Sequence, residues 1–562
     1  MSSTLRVEII SLLVLLSFSV WGGDGDTLGF VSPVDHQIRL TGNFMELRPN
    51  HFHAGIDIKS TNGQPGDVVR TVHDGHVSRI KIQSGGYGNV LYIDHPNGYT
   101  SVYAHLDEFA PRLEKYIKEI QYKLESFEVD VYLPDSLFRY TKGTRIGNMG
   151  NSGRSFGPHL HFELRKTKSE TPVNPEQLGI GPSDTTAPVL ESLHLHTIGV
   201  QGNVLDKVVK YFKPNQKTYE LYKNELVIEG SRLGIGLQMY DRMDGSWNKN
   251  GVYGFSLEVD GVEQFAWKAD GFSFSETRLI NAFWDYERKQ VHGQKVYLMY
   301  RSECNHSSFY NHADDGILDL SDGQTKQVTI SVSDIHGNTS VLNFRVRGEA
   351  PNDLESTDHL IACDTSSTYS EGYFDVSFGE NAFFSPVSID IKYHQEMING
   401  QECLAISIGK STIPVNGYYT ISCPIPKGDI NQWTLASRDS KKRLIHFGGD
   451  TLNGRFVCKV DQLGDFFLYN DKEAPDITPI SFSKDLATPW KLRITDNLID
   501  DGKANELSYR ATLNGHWIRM IYDKKNDLLL FKDKDRLQTG PQLFKLAVWD
   551  HCGNVKTYTR NI

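Results

Sequence analysis

Cysteine is missing from the first half of this 562-residue chain, whose six cysteines are Cys304, Cys363, Cys403, Cys423, Cys458 and Cys552. Any metal site before residue 304 must therefore use imidazole or carboxylate, not thiolate. No HExxH stretch occurs, which excludes the helix-borne histidine pair with its adjacent glutamate base. Basic residues are outnumbered, 59 Lys and Arg against 70 Asp and Glu, for a net charge of −11. That balance excludes the basic footprint a nucleic-acid partner requires. Long apolar runs are also scarce. The one from Ile9 to Val20, preceded by Arg6 and followed by Gly22 and Gly23, has the build of a secretory signal peptide over residues 1–22. It is short for a bilayer span, and no cysteine follows it to take a lipid. The mature chain is thus expected to be exported and to have no stable membrane span. Export permits disulfides, but spacing leaves open both their pairing and the alternative of buried free thiols.

Histidine is what the first third of the chain does have. The stretch HFHAGIDI (residues 51–58), the stretch YAHL (103–106) and the stretch GPHLHFELR (157–165) lie among glycines and β-branched residues. Side chains two apart on a strand share a face. His159 and His161 therefore project together, while Leu160, Phe162 and Leu164 supply the opposite, core-facing side. His53 and Asp57 are four apart, but Gly55 between them and the β-branched Ile56 and Ile58 argue for a loop entering a strand rather than a helix. An imidazole and a carboxylate completed by one more histidine give three protein ligands and an open fourth position, the arrangement of catalytic zinc. His53, Asp57 and His161 are the expected ligands. His105 and His159 are then left to handle protons, with their roles undivided. His51 and His95 are expected to support the site or to be solvated.

Three longer motifs carry a resemblance: HxxxD at His53 and Asp57, GYGNVLYIDHPNGYTSVYAHL (residues 86–106) and the run ending GNSGRSFGPHLHFELR (147–165). Together they resemble the lysostaphin/LytM-type zinc endopeptidases over residues 29–176, about a quarter of the chain. The resemblance implies a compact antiparallel β fold of the duplicated hybrid motif type and one Zn²⁺ per chain. It also implies cleavage of stem-peptide cross-links in peptidoglycan, with His53, Asp57 and His161 on zinc and His105 and His159 catalytic. One departure is an insertion over residues 107–140. There Leu113, Ile117, Ile120 and Leu124 recur at helical spacing, and Phe127, Val129, Val131 and Leu133 alternate as a strand. The insertion is read either as a gate beside the substrate groove or as scaffold.

With 39% hydrophobic and 11% aromatic residues, the chain can build cores throughout. The expected class is mainly β: a LytM-type domain over residues 27–180 followed by β-sandwich modules. The opening DTTAPVL at Asp184 is echoed by DKEAPDI at Asp471. The closing SDIHGNTSVLNFRV and WDHCGNVKTYTRNI also match, each a turn followed by an alternating strand. Two immunoglobulin-like modules are expected, over 184–348 with an insertion near 270–311 and over 471–562, with a further β domain over 350–470 containing YFDVSF and GRFVCKV. Trp247, Trp267, Trp284 and Phe274 are expected in cores. The Asp-Gly pairs at Asp244, Asp260, Asp270, Asp315 and Asp322 read as turns, with no EF-hand pattern.

The expected function is a zinc endopeptidase of peptidoglycan in the periplasm or cell envelope, or secreted. Its β modules would position it or bind an envelope partner. Two alternatives stand beside it: a non-catalytic LytM-like regulator of other wall hydrolases, and a wall-binding envelope protein.

Overall fold

A computed structural model describes residues 28–215, 218–310, 314–349, 360–483, 486, 488–499 and 507–562. The expected signal peptide lies outside the described residues. The protein is mainly β, as its composition and alternation predict. Among the described residues no helix is long and apolar enough to cross a membrane.

The N-terminal part is built on an antiparallel sheet in the order Leu40–Gly42, Ile56–Lys59, His159–Lys166, Tyr99–Ala104, Asn89–Asp94, Gly75–Ile82 and Val129–Tyr132. A second sheet of Val68–Arg70, Arg145–Met149 and Leu106–Phe109 completes this part, and residues of both sheets share one core. The central strand His159–Lys166 shows why its sequence alternates. Leu160, Phe162 and Leu164 are fully buried in the core. His159, His161, Glu163 and Arg165 occupy the other face.

The insertion folds as its periodicity predicts. Its helix, Pro111–Leu124, starts with proline at the first position, carries Glu114 in its first turn and ends on left-handed Glu125 (φ 48°). Leu113 and Ile117 enter the core, whereas Leu124 stays exposed. The strand Val129–Tyr132 extends the large sheet by pairing with Gly75–Ile82.

Two further sheets follow. One runs Val204–Lys210, Val189–Ile198, Arg232–Tyr240 and Val296–Leu298, and the other runs from Phe212–Asn215 to Val262–Lys268 through Thr339–Glu349 and Lys326–Ser333. Their shared core also takes in Phe44, Met45, Leu47, Phe52 and Ala54 from the N-terminal part. The contact is polar as well. The Asn43 side chain both donates to the Gly251 carbonyl (2.7 Å) and accepts from its N–H (2.8 Å), and Lys295 pairs with Glu46 at 2.6 Å. Trp267 and Trp284 are buried as expected. Trp247 and Phe274 are not: they are 87% and 39% exposed, each lying under an arginine, Arg242 and Arg165 respectively. A guanidinium over the ring satisfies an aromatic face without burying it.

Beyond residue 360, YFDVSF and GRFVCKV form the strands Phe374–Phe378 and Arg455–Val460 of one sheet. A facing sheet ends on Leu498–Ile499, contributed by the C-terminal part. A disulfide joins Cys304 to Cys363, and the other four cysteines are buried thiols. The last residues form two four-stranded sheets, from Asp476–Ser481 to Ile521–Asp523 and from His516–Trp517 to Val555–Asn561, around one core.

This C-terminal sandwich rests on the inserted helix. Arg519 pairs with Asp533 (2.9 Å) and donates to Gln121 (2.8 Å), Tyr122 donates to Asp533 (2.7 Å), and Lys118 reaches Asp533 (3.2 Å) and Asp535 (2.9 Å). The helix is therefore a docking platform, a role its own periodicity does not reveal.

Candidate metal centre

His53, Asp57 and His161 converge on one point. His53 lies just after the short strand His51–Phe52, Asp57 lies on Ile56–Lys59, and His161 stands directly opposite Asp57 in the register of the sheet. The three contact distances are His53 Nε2 to Asp57 Oδ1 3.0 Å, His53 Nε2 to His161 Nδ1 2.9 Å, and His161 Nδ1 to Asp57 Oδ1 2.9 Å. All three residues are buried.

The outer bonds decide which ring nitrogens are free. His53 Nδ1 lies 2.7 Å from the Asn43 carbonyl, so that nitrogen carries the hydrogen and Nε2 presents a lone pair. His161 Nε2 lies 2.8 Å from Glu163 Oε1, which likewise leaves Nδ1 as the lone-pair atom. Arg48 donates to Asp57 Oδ2 at 2.8 Å and leaves Oδ1 facing inward. Three potential acceptors thus meet within 3.0 Å of one another, so that a proton or a metal ion must sit between them. Two imidazole nitrogens and a carboxylate oxygen facing one point are the donor set of zinc, so the residues present fit that ion.

Without an ion the same place draws a proton: burial opposes any charge on His161, but its hydrogen bonds to Asp57 and Glu163, with their charges, push it up to about 9. Burial likewise opposes ionisation of Asp57, yet the surrounding imidazoles hold it well below the usual carboxylate range. Burial pushes His53 down.

The other two predicted histidines face this group. His105 is the residue between the strands Tyr99–Ala104 and Leu106–Phe109 and takes a left-handed conformation (φ 60°) that turns the chain from one sheet into the other. Its Nδ1 lies 2.9 Å from the Ser152 carbonyl, and His159 Nδ1 lies 2.8 Å from the Gly157 carbonyl, so both rings keep Nε2 free. The His105 and His159 rings stand 4.8 Å apart, and His159 Nε2 is 3.4 Å from Asp57 Oδ1. Burial, reinforced by the charges of His159 and His161, pushes His105 down to about 3. It is a neutral acceptor at neutral pH.

His51 stays outside the group, exposed and bonded to the Pro49 carbonyl. His95 is buried and satisfied by Asp74 O and Ser101 Oγ. It lines a cavity of about 450 Å³ with Asp74, His76, Asp94 and Arg139 that contains none of the five site residues.

Sequence reasoning missed the support behind His161. Glu163 is fully buried and accepts from His161, from Arg165 (2.7 Å) and from the Tyr87 hydroxyl. Tyr87 also stacks on the His161 ring at 5.1 Å. The spacing held a signal, because Glu163 and Arg165 continue the same strand face as His159 and His161.

A family model described as peptidase family M23 matches residues 51–122. The DD-carboxypeptidase/endopeptidase Mpg of Neisseria meningitidis is 34% identical over 135 residues, covering 24% of this chain and 24% of that protein. The murein hydrolase activator NlpD of Escherichia coli is 32% identical over 120 residues, covering 21% of this chain and 24% of the relative. A solved zinc-containing peptidase from Vibrio cholerae is 24% identical, covers 28% of this chain and 41% of that one, and superposes with a TM-score of 0.20. The chain spans about a quarter of the length of the curated relatives it matches.

Proposed function

We propose that this chain belongs, through its N-terminal part, to peptidase family M23 and is an exported zinc endopeptidase that hydrolyses peptide cross-links of bacterial peptidoglycan. One observation carries the reading: His53 Nε2, Asp57 Oδ1 and His161 Nδ1 meet at one buried point while Asn43, Arg48 and Glu163 occupy the outer atoms of the same side chains. In this reading those three atoms hold one zinc ion, which supplies a polarised carbonyl and an acidified water. His105 Nε2 and His159 Nε2 act beside it. One takes the proton of the attacking water and the other carries charge or delivers a proton to the departing amine. Glu163, gripped by Tyr87 and Arg165, keeps His161 in the tautomer that leaves Nδ1 free.

The proposed organisation is a signal peptide over residues 1–22, a peptidase domain over 27–180 with its insertion at 107–140, and three β modules over 184–348, 350–470 and 471–562. The first and last modules are of immunoglobulin-like type. The setting is the periplasm or cell envelope, with stem peptides as substrate and an envelope protein as a further partner of the β modules.

A regulator of other wall hydrolases is the second reading. It has two supports: the likeness to NlpD, named a murein hydrolase activator, and the contact of Lys525 with the Asn151 and Ser155 carbonyls beside His159. Metal content and cleavage distinguish the two. The enzyme reading expects one zinc per chain, lost in Asp57→Ala, and retained in His159→Ala while cleavage disappears. A chain that binds no zinc, or binds it and cleaves nothing, contradicts it.

A further inference from the structure

The matching ends of the first and last β modules bring together two matching carboxylate trios. Asp184, Asp241 and Asp334 form one, and Asp471, Asp496 and Asp550 form the other. In each, one oxygen per residue lies within 4.8 Å of the others. The origins correspond. Asp184 and Asp471 stand in the DTTAPVL and DKEAPDI openings, Asp241 and Asp496 directly follow the core strands Arg232–Tyr240 and Trp490–Thr495, and Asp334 and Asp550 open the last turns. The wiring corresponds too. Asn338 donates its backbone N–H and its side-chain amide to the two oxygens of Asp334 (2.8 and 2.7 Å) and reaches the Asp184 carbonyl at 3.2 Å. Asn554 does the same for Asp550 (2.9 and 2.9 Å) and the Asp471 carbonyl (3.3 Å).

Acidic residues gather on many surfaces without binding anything, but five of these six are buried and Asp496 is half-buried. Asp241 is 3% exposed and Asp471 is fully buried. Asp184 Oδ2, Asp241 Oδ1, Asp471 Oδ2 and Asp496 Oδ1 are buried with no hydrogen-bond partner. Among the described residues none of the six carboxylates pairs with a lysine, arginine or histidine. A buried unpaired carboxylate is costly, and three together more so. At the first trio a separate observation adds to this. Glu176, from the turn Pro175–Leu178 that leaves the N-terminal part, keeps Oε1 buried and unpartnered, and it shares with Asp241 a cavity of about 10 Å³. That volume is about the size of one water or one ion.

We propose that the chain holds two equivalent divalent-cation sites of calcium type, one at Asp184, Asp241 and Asp334 and the other at Asp471, Asp496 and Asp550. The donors are all hard carboxylate oxygens, the ligand class that calcium takes. Each ion ties the segment entering a module to two of that module's turns. Calcium then fixes how the modules follow one another, including the C-terminal sandwich that rests on the inserted helix and reaches the loop beside His159. The five Asp-Gly turns have no part in either site, apart from the N–H of Asp244, which donates to Asp184 Oδ1 (2.8 Å).

The test is calcium titration by calorimetry on the full mature chain loaded with zinc, beside Asp241→Asn, Asp496→Asn and the double variant. Asparagine preserves shape and removes like-charge repulsion, so the variants are expected to fold, which circular dichroism checks. Two calcium ions per chain are expected, falling to one in each single variant and to none in the double, with calcium raising Tm by several degrees only where a site remains. No binding at millimolar calcium, or a stoichiometry that the double variant leaves unchanged, overturns the proposal. One ion lost in only one single variant overturns the equivalence of the two sites.

Discussion

His161 illustrates how one side chain's chemistry depends on what lies behind it. Its Nδ1 is available to a metal only because Nε2 is held by Glu163, and Glu163 stays ionised despite burial. Burial opposes its charge, but Arg165 and His161 hold it down at about 2. Glu163→Gln should keep the fold, since the amide fits the same space, but it can present its N–H₂ to His161 and favour the wrong tautomer. The expected result is zinc affinity weakened about 10- to 100-fold with unchanged circular dichroism, read by competition with a chromogenic chelator. At this scale the sequence was informative where spacing acts locally. The two-residue step of His159 and His161 and the step from His53 to Asp57 mark the face and the loop. The grip of Tyr87 on Glu163 spans 76 positions and has no local signature.

Among the elements, the loops around the site depend on close backbone approach. Gly88 and Gly153 both take positive φ, 64° and 69°, and a Cβ on Gly153 would meet the Gly88 nitrogen at 2.3 Å. That contact holds the loop after Tyr87 against the loop whose Ser152 carbonyl orients His105. Gly153→Ala should therefore displace His105 while leaving His53, Asp57 and His161 in place. Cleavage is expected to fall at least about 100-fold with one zinc retained, since a shift of about 1 Å in a proton-handling group costs that much. Metal analysis beside a cleavage assay checks it. The inserted helix shows the limit of periodicity. Leu113 and Ile117 declared its buried face, but Gln121, Tyr122 and Lys118 grip the C-terminal sandwich through residues some 400 positions away. Trp247 and Phe274 went the other way for a related reason. Composition cannot distinguish a ring covered by core from one covered by an arginine.

For the molecule as a whole, the parts are not beads on a string. The segment that leads to His53 is buried in the core of the following sheets, and the C-terminal sandwich closes back onto the N-terminal part. Arg519, 9% exposed between Asp533 and Gln121, is the centre of that closure. Arg519→Ala should destabilise it by about 3 kcal/mol, the low end for breaking a buried pair, because Lys118 and Tyr122 still hold Asp533. The expected signature is a C-terminal part that unfolds at lower denaturant and becomes sensitive to limited proteolysis. These long-range contacts exist only once the chain has folded, which is why the repeated turn motifs of the sequence carry no sign of them. The central proposal is that the converging histidines and aspartate make a metal-dependent hydrolase. Digestion of purified peptidoglycan by the mature protein, with and without chelator and beside His161→Ala and His105→Ala, tests it most directly. The expected result is release of un-cross-linked muropeptides by the native protein alone, abolished by chelator and restored by added zinc, with zinc absent from His161→Ala and present but ineffective in His105→Ala. Undiminished cleavage by either variant, or by the chelated protein, would contradict it.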